Sequence, residues 1–244
     1  MENASLSLGG EKIIHNSSIS IHHGEQLALI GPSGAGKTTL LRMLAGGLIC
    51  DSGSVSHGGE SFAKATPADL NRLRSRVGFI HQDHALVPNL RVFANVAMGR
   101  FGSRSFWQSF RSLVFPSKAD RMEILNYLER VGIGEKIYHR ADSLSGGEQQ
   151  RVAIVRALFQ KPDALLADEP VASVDPERAR RVIQLLCKMA KEQGLTLVVS
   201  LHDIELAREY FPRLIGLKKG HIAFDQPTSN VKGQEVESLY AISN

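Results

Sequence analysis

The chain has 244 residues, 43% of them hydrophobic, enough to bury a sizeable core but leaving little room for two independent domains. No stretch approaches the roughly 20 uninterrupted apolar residues of a membrane-spanning helix, and the start, Met1-Glu2-Asn3, lacks a charged-then-apolar export pattern, so a cytosolic chain that is soluble alone is expected. The net charge of +4 points to acidic neighbours only weakly, because Lys and Arg are spread along the sequence without a dense block that would single out nucleic acid or membrane.

In chain order, residues 17–21 alternate as a strand, and the apolar run 26–30 leads straight into glycine. There follow Gly31, Pro32, Ser33, Gly34, Ala35, Gly36, Lys37 and Thr38, with Thr39 beside them. This is the phosphate-binding loop pattern, set between a predicted strand and a predicted helix. Its glycines let the backbone curl so that successive amides point at phosphate oxygens, and the helix from Lys37 adds its positive end. Lys37 supplies a mobile cation for the outer phosphates, and the Thr38 hydroxyl suits a Mg²⁺ that bridges them.

A strand at 77–80 is followed by a long stretch, residues 84–160, with helical patterning and little strand character, read as an inserted helical lobe. Near its end stand Leu144, Ser145, Gly146, Gly147, Glu148, Gln149, Gln150 and Arg151, directly before the helical run 152–158. Ser145 and Glu148 have capping-box spacing, and two bare glycines leave the first-turn amides open to a phosphate. An ordinary capped helix would not need those glycines, which carry an entropic cost. If this second anion site lies as far from the first as the insertion implies, one γ-phosphate reaches both only when a second copy supplies one of them.

The apolar strand 164–167 delivers two consecutive carboxylates, Asp168 and Glu169. Asp168 suits Mg²⁺, and Glu169, on the other side of the strand, suits accepting a proton from an attacking water. Asp175 then caps a helix over 176–193 with Pro176 at its first position and Val182, Leu185, Leu186 and Met189 on one face. Strands at 196–200 and 214–217 complete the α/β set, and the tail from 226 is too short for a further domain. Cys50 and Cys187 lack partners at metal-ligand spacing and read as inert thiols in a reducing compartment.

Over nearly its whole length the sequence resembles the ATP-binding-cassette (ABC) ATPase family, most specifically at residues 144–149. The resemblance implies an α/β fold in one ABC ATPase domain over 1–244: a phosphate-loop, RecA-like core with a mixed sheet (about 1–83 and 161–225), an inserted α-helical subdomain (about 84–160) and a short tail (226–244). It implies ATP and Mg²⁺ as ligands, and head-to-tail pairing in which each ATP lies between one copy's phosphate loop and the other's Ser145, Gly146, Gly147 and Glu148. Gln82 matches the family's Mg²⁺- and water-contacting glutamine, Asp175 the aspartate of the loop crossing the dimer interface, and His202 the switch histidine that contacts the γ-phosphate. The expected metal set is thus Thr38, Gln82 and Asp168, and the expected catalytic set Glu169, His202, Gln82 and Lys37. Counting back from Gly24 and Glu25, the family's adenine-stacking aromatic falls at Leu8, so base stacking is expected to be lost.

Within the family the chain is most similar to the ATPases of phosphonate importers, at Gly99-Arg100, Phe106-Trp107, Ala141-Asp142, the run 167–173 and Val236, Glu237, Ser238, Leu239 and Tyr240. That resemblance implies a peripheral subunit at the cytoplasmic face of the inner membrane. Its partners are a second ATPase copy, transmembrane permease subunits and, indirectly, a substrate-binding protein that brings phosphonate, phosphate or phosphite. An importer ATPase for another small polar solute is the nearest alternative. The rival of another class, a non-transport ABC ATPase acting on DNA or ribosomes, carries a long coiled coil or a second cassette that this chain lacks, and no nucleic acid is expected. A switch that binds nucleotide without turnover would not need both Glu169 and His202. The aromatics Phe101, Phe106, Trp107, Phe110 and Phe115 read as packing within the lobe, with docking to a membrane partner as the alternative.

Overall fold

The computed structural model describes residues 1–103, 117–172 and 174–241, and the aromatic positions 106, 107, 110 and 115 together with Ser173 lie outside the described residues. Six strands form the central sheet: β3 (Gln26–Ile30), β7 (Val77–Ile80), β8 (Ala164–Ala167), β9 (Thr196–Leu201), β10 (Arg213–Lys218) and β11 (His221–Pro227). Their spatial order is β11-β10-β3-β9-β8-β7, parallel throughout except for the antiparallel β11. Registers set Ile30 beside Leu201, Val199 beside Ala167, and Ala167 beside Ile80. The carboxyl ends of β3, β9, β8 and β7 therefore stand side by side, although they are remote in sequence.

The strands read correctly in the sequence are those whose residues are almost all apolar, because helices and a second sheet cover both faces. Ala28, Ile30, Leu165, Ala167, Leu197 and Val199 enter one apolar cluster, and Leu27, Leu29, Leu166 and Val198 enter the other. Against the first face packs the helix Pro176–Gln193, capped by Asp175, whose side chain accepts from the Arg178 amide, and closed by Gly194 at φ 66°. It buries Ala179, Ile183, Leu186, Met189 and Ala190, while Val182 and Leu185 are only half-buried. The buried stripe is thus turned by about one residue from the expected face.

The expectation of a strand over 17–21 does not hold. The second strand of the chain, β2 (Glu11–Ser17), ends at Ser17, after Asn16 has taken a positive φ of 40°. Residues 18–21 run on without a ladder, held by Ile19 and Met1, which exchange two backbone hydrogen bonds. β2 pairs with the unexpected β1 (Glu2–Leu8) through the two-residue turn Gly9-Gly10, whose φ values of 60° and 87° are those a tight hairpin requires.

Between β7 and β8 the described residues are helical, chiefly Val92–Ala97, Lys118–Arg130 and Gly146–Phe159, around a third apolar cluster that includes Phe93, Ile124, Leu128 and Phe159. The helix Gly146–Phe159 belongs to two clusters. Ile154, Ala157 and Leu158 pack on the sheet, and Val152, Val155 and Phe159 pack within the helical layer. The tail from 226 carries a helix, Gly233–Tyr240.

Candidate active site

The turn after β3 is specified by backbone clearance. A Cβ on Gly31, at φ 154°, would lie 2.1 Å from the Leu217 carbonyl oxygen, and Gly36 takes φ 102° as it opens the helix Lys37–Leu44. Neither position suits a residue with a side chain. The curl folds Lys37 back, so that its ammonium donates to the carbonyls of Gly31 (2.8 Å) and Pro32 (3.1 Å). Lys37 is only 4% exposed, and burial draws its pKa below the ordinary lysine range, with Glu169 and Asp168 opposing the shift. Pro32 is half-buried, Ser33 and Gly34 are exposed, Ala35 is buried, and Thr38 and Thr39 are half-buried on the first helical turn.

β8 places the carboxylates against this loop. Asp168 is buried, and its Oδ1 accepts from the Thr38 hydroxyl at 3.1 Å and the Ser200 hydroxyl at 2.9 Å. Glu169 holds a left-handed backbone with φ 45°, an unfavourable conformation for a side-chain-bearing residue and one that recurs at functional sites. Its amide donates to the Ser200 hydroxyl at 2.8 Å, and its Oε1 lies 3.4 Å from Lys37 Nζ and 2.5 Å from His202 Nε2. His202 Nδ1 is in turn 3.5 Å from Lys37 Nζ. A neutral imidazole with its proton on Nε2 satisfies both contacts, donating to the carboxylate and accepting from the ammonium.

Lys37, Thr38, Asp168, Glu169 and His202 thus form one connected cluster at the carboxyl ends of β3, β8 and β9. Gln82 lies in the exposed turn after β7, beside that cluster in strand order. Among the described residues, no hydrogen bond or ion pair joins Gln82, Asp175 or the 145–148 segment to it. At the latter, Ser145 caps the helix: its hydroxyl accepts from the Glu148 amide at 3.4 Å, and Glu148 Oε2 accepts from the Ser145 amide at 2.8 Å. Those bonds hold the Glu148 carboxyl below its ordinary range. A Cβ on Gly146 or Gly147 would meet nothing within 4 Å, so this helix tip is open. Asp175 acts as a cap and pairs with Arg178 at 3.2 Å. Leu8 is 43% exposed at the end of β1.

Sequence reasoning missed Ser200 and Gln150. Ser200 has no exposed surface and holds Asp168 by its side chain and Glu169 by its backbone. Gln150, 3% exposed on the 146–159 helix, donates to the carbonyl of Pro170, next to Glu169. A polar residue within an otherwise apolar strand was the available signal for Ser200.

A parallel sheet with a glycine loop after β3 and paired carboxylates after β8, with β9 between those strands, defines the phosphate-loop nucleotide-binding class. The ABC transporter family description matches residues 14–172. The chain is 43% identical over 245 residues to the phosphonates import ATP-binding protein PhnC 2 of Pseudomonas aeruginosa, covering 97% of this chain and 91% of that one. It is likewise 43% identical to PhnC 1 of Nostoc sp., covering 98% and 91%. Among solved structures, the ADP conformation of MJ1267, an ATP-binding cassette of an ABC transporter, superposes with a TM-score of 0.82 at 26% identity, covering 97% and 95%. The dimeric cassette MJ0796 in a post-hydrolysis state, bound to ADP and Pi, gives 0.74 at 30% identity, covering 93% and 97%. The chain belongs to the ABC transporter family, as an ATP-binding cassette with the mixed α/β fold of that family.

Proposed function

We propose that this chain is the ATP-hydrolysing subunit of an importer for phosphonates or a related phosphorus oxyanion, and that it works as a pair of cassettes. The relatives named as phosphonates import ATP-binding proteins, at 43% identity across almost the whole chain, support the substrate class. What carries the chemical half is the convergence of Lys37, Glu169 and His202 on one another beside the Thr38 to Asp168 hydrogen bond.

The phosphate loop, residues 31–39, binds the triphosphate, and Lys37 exchanges its carbonyl partners for phosphate oxygens, repaying the burial of its charge. Thr38 and Asp168 fit a Mg²⁺ ion because both present hard oxygen donors within 3.1 Å of each other, and Gln82 adds a further oxygen from the β7 turn. When bound, the ion neutralises charge on the phosphates. Glu169 Oε1 takes the proton of the attacking water, and His202 Nε2, its neighbour, orients that carboxylate and contacts the γ-phosphate. Ser145, Gly146, Gly147 and Glu148 of a second copy cover the other side of the triphosphate, with Asp175 at the interface between copies. The pair docks on permease subunits at the cytoplasmic face of the membrane; no helix among the described residues is long and apolar enough to cross it.

Glu169→Gln tests this. With the proton acceptor gone but the phosphate contacts intact, ATP should convert the variant into a stable dimer by size-exclusion chromatography with turnover lost. Wild-type turnover by the variant would overturn the role of Glu169. Uptake of radiolabelled phosphonate by cells carrying the whole transporter tests the substrate class, and transport of a different solute alone would remove it.

A further inference from the structure

The segment Val236 to Tyr240 stood out in the sequence without a function, and the fold gives it one. It forms the end of the helix Gly233–Tyr240, which is fixed to the central sheet at three points. Glu235 Oε2 accepts from the Lys232 amide at 2.8 Å and from Gln226 Nε2 at 2.9 Å. Lys218, at the end of β10, donates to the Ser238 carbonyl, and Leu239 is buried with 1% exposure. A helix so anchored has little freedom to place its last residue elsewhere. That residue, Tyr240, reaches the loop after β9, 38 positions away in sequence, and its hydroxyl donates to the His202 carbonyl at 3.1 Å. Burial raises the phenol above its ordinary range. At neutral pH the group stays protonated and able to donate.

The loop it touches is short. β9 ends at Leu201, and the next helix begins at Ile204, capped by Asp203, whose Oδ1 accepts from the Leu206 amide at 3.0 Å. The Asp203 side is therefore fixed by the cap, and the bond from Tyr240 holds the His202 carbonyl, restraining the φ rotation that carries the Cα–Cβ bond and the His202 ring with it. We propose that Tyr240 is a positioning residue for His202, closing a clasp between the C-terminal helix and the histidine beside Glu169. This rests on the proposed ATP hydrolysis only for its kinetic consequence. The clasp itself is a property of the protein alone. With the phenol in place, the imidazole is held beside Glu169; without it, the His202 backbone is restrained on one side only and the ring samples other directions.

The test uses the full chain and Tyr240→Phe, which keeps the ring and removes only the hydroxyl. Hydrogen exchange of the amides at 202–206 should speed up roughly three- to tenfold in the variant, the loss expected for one hydrogen bond, with exchange in β3 and β8 unchanged. In ATPase assays kcat should fall by a similar roughly three- to tenfold with KM for ATP held, and in a His202→Ala background the same substitution should cost nothing further. A role in packing alone predicts normal kinetics for Tyr240→Phe and lowered thermal stability only for Tyr240→Ala. Unchanged exchange at 202–206, or an equal loss of kcat with and without His202, would overturn the clasp. Faster exchange in a protein that proves unable to hydrolyse ATP would keep the clasp and remove the proposed hydrolysis.

Discussion

Ser200→Ala removes one oxygen and two hydrogen bonds. The hydroxyl donates to Asp168 Oδ1 at 2.9 Å and accepts from the Glu169 amide at 2.8 Å, in a residue with no exposed surface. Loss of a bond to a buried carboxylate costs about 1.5–3 kcal/mol, and an orphaned amide about 1–3 kcal/mol. Relaxation of the left-handed Glu169 backbone, φ 45°, returns part of that, since such conformations store about 1–3 kcal/mol. The expected net cost is about 2–4 kcal/mol, which for a chain of this size lowers Tm by roughly 5–15 °C. Guanidinium unfolding at 25 °C should show a lower midpoint with an unchanged slope. Because the two carboxylates lose their common brace, kcat measured on fully folded protein should fall roughly ten- to a hundredfold, in line with the cost of small misplacements at reacting centres. Ser200→Cys, which keeps a weak donor, should fall between the two. If the alanine variant matched wild type in both midpoint and kcat, Ser200 would be a passive core residue.

Three further outcomes are expected. Leu8→Trp should tighten ATP binding roughly five- to a hundredfold, because a base stacked on a ring gains about 1–3 kcal/mol, whereas wild type should bind ATP and GTP alike; equilibrium titration with fluorescent nucleotides decides, and a strong native preference for ATP would refute it. Burial pushes the Cys187 thiol up to about 11, so at pH 8 its thiolate fraction is roughly two-hundredfold below that of a free cysteine, and mass spectrometry after brief alkylation should find it unmodified; rapid labelling in folded protein would be the contrary result. For Glu148 the folded pKa lies below the unfolded one. Its contribution to stability is thus present above the ordinary carboxylate pKa, about 4.3, and is lost as pH falls through the lower folded value. The stability gap between wild type and Glu148→Gln should close on acidification, and a gap that widened there would contradict the cap.

What could be read from the sequence follows from how each element is covered. β3, β7 and β8 were legible to the residue because both faces are buried, so each is an almost wholly apolar run. β1 and β11 were not. β1 carries three buried residues flanked by exposed ones, and β11 alternates exposed with half-buried, as edge and two-faced strands do. The glycine loop, the carboxylate pair and the Ser145 cap were legible because each is local, fixed by spacing within eight residues. Ser200 and Tyr240 act across 31 and 38 positions. Only the pairing of β8 with β9 and the docking of the last helix bring them to their partners, and no local pattern encodes either. Asp175 illustrates the reverse: its cap was legible, while any contact beyond this chain lies outside a single copy.

The helix capped by Ser145 has one side sunk in the sheet's apolar cluster and the other in the helical layer's, and in its second turn Gln150 holds the carbonyl of Pro170. It behaves as a lever with its fulcrum one peptide from Glu169. A close-packed interior has almost no slack, so a tilt of the helical layer by a few degrees would bear on that hydrogen bond and on the peptide beside the carboxylate.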